Sequence, residues 1–279
     1  MRAVTLVSPS GNKKEGAMGL IPRNRLAVME LPGVLGGGPR LTSYVRVLEA
    51  LRNSRRVRGV VLEIDSPGGL VTASDYLTLA CSRLASQKPL VAFIRGMGTS
   101  GAYQVASAAH KIVALPSALV GSIGVISLRP LIPGLLEKMG VRFSVAKGGR
   151  LKDMGAFWRE PTGEEQEKEQ ELVLEYYESF VRSVAQGRKL AVERVKEIAT
   201  GEPFTARKAQ ELGLVDELGD LERALDLAAE MAKIPRRYFY ARPPRTWRER
   251  LLGGLALETL ESWYAEAMLL SRIRTYYLG

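Results

Sequence analysis

The chain of 279 residues has a single cysteine, Cys81, and a single histidine, His110. One thiol cannot form an intramolecular disulfide, so the fold does not depend on one and an oxidising compartment is not required. The sequence also lacks zinc-ligand spacing, a phosphate-binding glycine loop and any recognisable nucleic-acid module, so neither a metal, a cofactor nor nucleic acid is expected. No run of 18 or more apolar residues occurs, the first 25 positions included, so neither a membrane span nor a standard signal peptide is expected.

What the chain does have is positive charge. The formal net charge is +10, which attracts anionic surfaces such as lipid head groups. The length allows one substantial core rather than two domains of equal size. Residues 1–24 read as an irregular leader and residues 25–234 as the main domain. Residues 235–279 read as a basic, amphipathic tail, with Trp247 and Trp263 beside arginines and leucines. Two roles suit that tail: docking on its own or a neighbouring subunit, or lying on an anionic membrane surface through Arg236–Tyr277.

Between these ends, apolar runs alternate with helical spacing. Arg25–Val34, Val60–Ile64, Leu90–Ile94 and Lys111–Leu115 read as strands, with helices over Tyr44–Leu51 and Ala73–Ser86 between them. Such alternation predicts a parallel sheet with crossover helices, an α/β class. Short strands are further expected at Gly124–Ser127 and Val141–Val145. A long polar helix is expected over Glu164–Gln186, and helices over Ala191–Ala199, Ala206–Leu212 and Leu221–Lys233.

Two strand-to-helix corners carry the chemistry. The first is Asp65-Ser66-Pro67-Gly68-Gly69, where two glycines after a proline allow a tight turn with N–H groups directed outward, suited to an oxyanion. The second is Gly98-Thr99-Ser100-Gly101-Ala102-Tyr103. A serine there is either a helix N-cap or a nucleophile beside backbone donors.

These corners, followed by Gly121-Ser122-Ile123-Gly124-Val125-Ile126 and Lys147-Gly148-Gly149-Arg150-Leu151-Lys152-Asp153, resemble the signal peptide peptidase A family over about Leu26 to Leu227. The resemblance implies a Clp protease/crotonase-like superhelix of strand-strand-helix units with a helical C-terminal region. It implies a serine endopeptidase acting on cleaved signal peptides or other hydrophobic membrane-released peptides. Ser100 would be the nucleophile, Lys152 the general base, Gly68 or Gly69 with Gly101 the oxyanion donors, and Ser122 the hydroxyl that orients the lysine. It further implies a homo-oligomer, with active sites shared between subunits. The family commonly carries an N-terminal anchor that this chain does not display, so a cytoplasmic or membrane-peripheral protein is expected.

The inventory of residues supports that assignment. His110 lies ten positions beyond Ser100 in the same expected helix, about 15 Å along its axis, out of reach of the hydroxyl. A Ser-His-Asp triad is therefore excluded. Lysine can serve only as a neutral amine, which requires burial that disfavours its charged form. Leu151 and Phe157-Trp158 would supply such a pocket, and Asp153 would oppose it if it faced the amine. Two other readings are a crotonase-like acyl-CoA enzyme, for which the corners lack suitably placed glutamates, and an inactive membrane-associated scaffold. Lys147 is the competing candidate for the base. Lys152→Ala is expected to abolish peptide hydrolysis with the fold intact, and Lys147→Ala to preserve it; the reverse pattern in a peptide-cleavage assay would move the base to Lys147.

Overall fold

A computed structural model describes residues 5–7, 13–15 and 23–243. The described residues form two compact units: one of those up to Ile123 and from Val181 onward, the other of residues 124–180.

The first unit is built on a sheet whose central strands are β3 (Arg25–Pro32), β4 (Val57–Ser66), β5 (Leu90–Thr99) and β6 (Lys111–Ala114). All are parallel neighbours in that order. Their sequences are almost continuously apolar because both faces are covered, as expected for parallel strands. Crossovers run through α1 (Gly38–Asn53), α2 (Val71–Ala85) and the short α3 (Gly101–Ser107). The opposite face carries α8 (Leu221–Ala232), whose Ala224, Leu225 and Ala228 bury against Leu26, Val28, Val61, Val91, Phe93 and Val113. These strand positions alternate, as the pleat requires. Asp220 starts α8 by accepting from the Arg223 N–H at 3.0 Å.

The strand bearing the serine corner changes partners along its length. Val91–Ile94 pair with β6, whereas Met97–Thr99 pair with β7 (Leu119–Gly121). In turn β7 pairs antiparallel with β8 (Pro203–Thr205), which leads into α7 (Ala206–Glu211). The transition is a break in register between β4 and β5 around Asp65. There the Asp65 carboxylate accepts from the Met97 N–H at 3.0 Å and pairs with Arg95 at 3.1 Å.

Both ends of the chain depart from expectation. Thr5–Val7 and Lys13–Glu15 form strands β1 and β2 rather than a wholly irregular leader. Tyr238–Arg242, expected to begin a tail, is strand β10 and lies between β1 and β3 in the sheet. Alternation explains it: Phe239 and Ala241 are buried, a half-buried strand pattern hidden within a basic, aromatic run. The remainder of the expected tail, Trp247 and Trp263 included, lies outside the described residues.

The second unit contains α4 (Pro133–Lys138) and the start of α5 (Gly163–Arg188). Gly124–Ser127 and Val141–Val145 form no strand. Their apolar side chains, Ile126, Val141, Phe143 and Val145, are exposed, and among the described residues no strand pairs with them. Of the expected stripe on α5, Phe180, Val181 and Val184 are buried whereas Leu172 and Leu174 are exposed. The remaining helix, α6 (Val192–Ile198), and strand β9 (Glu217–Leu218), which pairs with β6, belong to the first unit.

Because β10 completes the edge of β3, ending the chain after Pro235 is expected to lower the melting temperature. Ending it after Pro243 removes no described strand and is expected to leave the transition nearly unchanged. Thermal unfolding followed by circular dichroism checks both; equal melting of the two would remove β10 from the stable sheet.

Candidate active site

Ser100 stands between β5 and α3 with φ 53° and ψ −130°. A non-glycine residue there is strained by about 1–3 kcal/mol, tolerated where neighbours over-determine the backbone. The neighbours are visible. The Ser100 N–H donates to the Gly121 carbonyl at 2.7 Å, and its own carbonyl accepts from Tyr103 and Gln104 at 2.9 and 3.1 Å. It occupies the N-cap position but makes no side-chain cap bond, so the capping role open to it in sequence is not taken.

The glycine corner presses directly on this serine. A Cβ on Gly68 would lie 2.7 Å from the Gly101 nitrogen and 2.8 Å from the Ser100 Cβ. Leu35 fixes the corner from the other side. Its N–H donates to the Gly68 carbonyl at 2.7 Å, and its carbonyl accepts from Leu70 at 2.8 Å. This is a parallel bridge centred on Gly69, and in such a bridge the central residue's own N–H turns to the opposite side. The Gly69 nitrogen lies 3.8 Å from where a Gly101 Cβ would stand. Gly101, as the first residue of α3, has an N–H without an intrahelical acceptor. The Gly68 N–H, by contrast, already donates to Ser66 Oγ at 3.1 Å. Of the two glycines in the corner, Gly69 therefore has the donor directed toward the serine side.

Gly101 is also sterically required, since a Cβ there would overlap Ser74 Oγ. Ser74 donates to the Leu70 carbonyl at 3.0 Å, tying the first turn of α2 to the corner. Neither Leu35, Ser74 nor the Asp65 brace was apparent from sequence. The only signals for them were Asp65 heading its motif and the helical position of Ser74.

Ser122, at φ 50° and 3% exposed, follows β7. Its N–H donates to the Glu202 carbonyl at 2.9 Å and its hydroxyl to the Gly201 carbonyl at 2.9 Å.

Lys152 belongs to the second unit, in a turn closed by its N–H donating to the Gly149 carbonyl at 3.2 Å. Its side chain is exposed, so the apolar pocket expected around it is not formed by the described residues. The physical reason lies in the second unit's composition: Phe143, Phe157 and Trp158 pack mainly on one another, leaving the lysine in water. Asp153 does not face the amine. Its carboxylate is held by Arg159 at 3.0 Å and by Lys147, and these hydrogen bonds hold it far below the usual carboxylate range. Lys147, paired in this way, is poorly suited to act as a base. His110 also has a structural partner, its Nδ1 accepting from the Leu90 N–H at 3.1 Å. Among the described residues no cluster suited to a metal ion occurs, and no helix is long and apolar enough to cross a membrane.

Gly69→Ala would drive a Cβ into the Leu35 carbonyl, displacing the corner. A fall in kcat of about 100-fold or more is expected, the scale of losing an oxyanion donor. Gly134→Ala, where nothing lies within 4 Å, serves as the control. Steady-state kinetics on a peptide checks both, and an active Gly69→Ala enzyme would remove the corner from the site.

Comparison with known proteins accords with this geometry. The family model described as peptidase family S49 matches residues 82–235. A Methanocaldococcus jannaschii protein with a provisional protease name is 38% identical over 68% of this chain and 61% of its own length. An Enterococcus faecium protein with a provisional signal peptide peptidase name is 35% identical over 69% of this chain and 56% of its own. The chain thus spans about three fifths of these two relatives. Among solved structures, a mutant of the 1510-N membrane-bound stomatin-specific protease superposes with a TM-score of 0.50. It is 16% identical and covers 80% of this chain and 99% of its own, a likeness of fold. The architecture is accordingly of the Clp protease/crotonase-like type, and the chain belongs to peptidase family S49.

Proposed function

We propose that this protein is a serine endopeptidase in which Ser100 attacks the peptide carbonyl and Lys152 serves as general base. The observation that carries the reading is the strained Ser100 backbone, wedged against the Gly68-Gly69 corner with the Gly69 and Gly101 N–H groups on its side. Hydrolysis then proceeds in two stages. The lysine amine takes the hydroxyl proton as the serine oxygen bonds to the carbonyl carbon, and the tetrahedral oxyanion is held by the two N–H groups. The protonated lysine gives its proton to the leaving amine, and water repeats the sequence on the acyl-enzyme. Ser122 accepts a hydrogen bond from the amine and so aims its lone pair at Ser100.

The substrates proposed are hydrophobic peptides, cleaved signal peptides among them, in line with the family and with the name of the Enterococcus relative. The exposure of Lys152 supports a second proposal. A homo-oligomer in which a neighbouring copy covers the lysine, with sites shared between subunits, would supply the desolvation that a lysine base needs. The basic residues from Arg236 onward would hold such an assembly against an anionic membrane surface.

Peptide digestion followed by mass spectrometry tests the activity. Wild type is expected to cleave a hydrophobic peptide, and Ser100→Ala to leave it intact while melting normally. Cleavage by Ser100→Ala would sink the proposal. The value of kcat/KM is also expected to rise with pH from neutral to alkaline conditions, because only the deprotonated amine accepts a proton. A profile flat from about pH 5 to 9 contradicts a lysine base.

A further inference from the structure

The turn that carries Lys152 rests on a chain of charges which the proposed reaction does not itself use. At its base is Glu165, 2% exposed, fixed by a capping box. The Thr162 N–H donates to its carboxylate at 2.9 Å, and the Glu165 N–H donates to Thr162 Oγ1 at 3.3 Å. The carboxylate in turn receives Arg159 on both oxygens, Nη1 at 2.8 Å to one and Nη2 to the other. The free edge of the guanidinium, its Nε, donates at 3.0 Å to one oxygen of Asp153, whose other oxygen is held by Lys147. Two more Arg159 bonds reach backbone carbonyls, Glu160 at 3.0 Å and Asp153 at 3.4 Å.

This arrangement matters for the residue beside it. Asp153 follows Lys152 directly in sequence, so a free carboxylate there would be an anion able to compete for the lysine amine. Among the described residues Lys152 forms no ion pair. Both Asp153 oxygens are already occupied by cations, and the cation that occupies one of them is itself anchored bidentately on a buried glutamate.

We propose that Arg159, seated on Glu165, is a positioning residue for Lys152: it fixes the 149–155 turn and keeps the Asp153 carboxylate committed away from the lysine amine. The proposal rests on the reading of Lys152 as general base. Without Arg159, Asp153 keeps only Lys147 and can swing to pair with the Lys152 ammonium, which stabilises the protonated, inactive form. Other charges lie nearby: Arg150 of the same turn, paired with Glu164 of α5, and Glu137 and Arg142, which line a cavity of about 880 Å³ together with Lys147, Asp153 and Arg159. They are the same in every variant below and so shift none of the comparisons.

The experiment measures kcat and KM of the full chain on a peptide across pH, beside thermal melting. Arg159→Gln is expected to lower kcat about 10- to 100-fold, the range for residues supporting an active group, with KM little changed. Its rising pH limb is expected at higher pH than in wild type. Adding Asp153→Asn, which removes the competing carboxylate, is expected to return the limb to its wild-type position. Arg159→Lys, which keeps the charge but not the fork, is expected to be intermediate. A limb that superimposes on wild type in Arg159→Gln, or that stays displaced in the double variant, overturns the proposal. If Arg159→Gln fails to melt cooperatively, Glu165→Gln takes its place, with a smaller displacement expected and an unmoved limb overturning it. Lys152→Ala separates the two levels of inference. Activity in that variant removes the base assignment itself, whereas an inactive Lys152→Ala with an unmoved limb in Arg159→Gln removes the positioning role alone.

Discussion

Everything at the serine corner follows from how closely three stretches of backbone approach one another. Leu35, Gly68-Gly69 and Ser100-Gly101 come together with no room for a side chain on the middle segment. The two Leu35 hydrogen bonds consume the peptide groups flanking Gly69 and leave that residue's own N–H facing the other way. The glycines are therefore required by steric exclusion and by the positive φ of 95° at Gly68. The strain at Ser100 is sustained by the same contacts, because its N–H is committed to Gly121 and its carbonyl to α3. Directed donors and a raised serine are thus two results of one packing constraint.

Much of this was legible beforehand, and the reasons are specific. Val60–Ile64 and Leu90–Ile94 are apolar enough to be buried on both faces, and buried parallel strands leave that signature in any sequence. The corners were legible because Pro-Gly-Gly and Gly-Thr-Ser-Gly restrict the backbone locally. Long-range pairing left no such mark. Nothing around Tyr238–Arg242 indicates that its partner is β3, at the other end of the chain. The Leu35 strap is equally silent, since it uses backbone atoms and any residue could supply them. In the second unit, Val141–Val145 has the alternation of a strand but no partner strand among the described residues, and alternation alone does not order a segment. The Thr162-to-Glu165 capping box was readable in principle, but its tie to Arg159 and Asp153 was not.

The serine and lysine regions are built on different physics. Around Ser100 the structure is held by buried apolar strands and backbone hydrogen bonds, with α3 wholly buried and Tyr103 donating from the core to the Leu214 carbonyl at 2.8 Å. Around Lys152 order comes chiefly from ion pairs and turns, under a surface where Leu128 is 73% exposed. Packed cores respond little to salt or pH, whereas ionic clamps respond to both. The proposed nucleophile is thus set in the packed part of the chain and the proposed base in the part most responsive to its surroundings.

The placement of β10 bears on how the chain is made. β3 leaves the ribosome more than two hundred residues ahead of Tyr238–Tyr240, which among the described residues pair with its outer edge at Leu26–Val28. Synthesis proceeds at about 5–20 residues per second, so that edge stays open for on the order of ten seconds or more. During that interval β4, β5, the glycine corner between them and the serine corner after β5 can already assemble from local crossovers. The nascent protein therefore holds an apolar, unpaired strand edge beside a nearly finished serine corner. Chaperone engagement during that interval would act on β3 rather than on the serine corner.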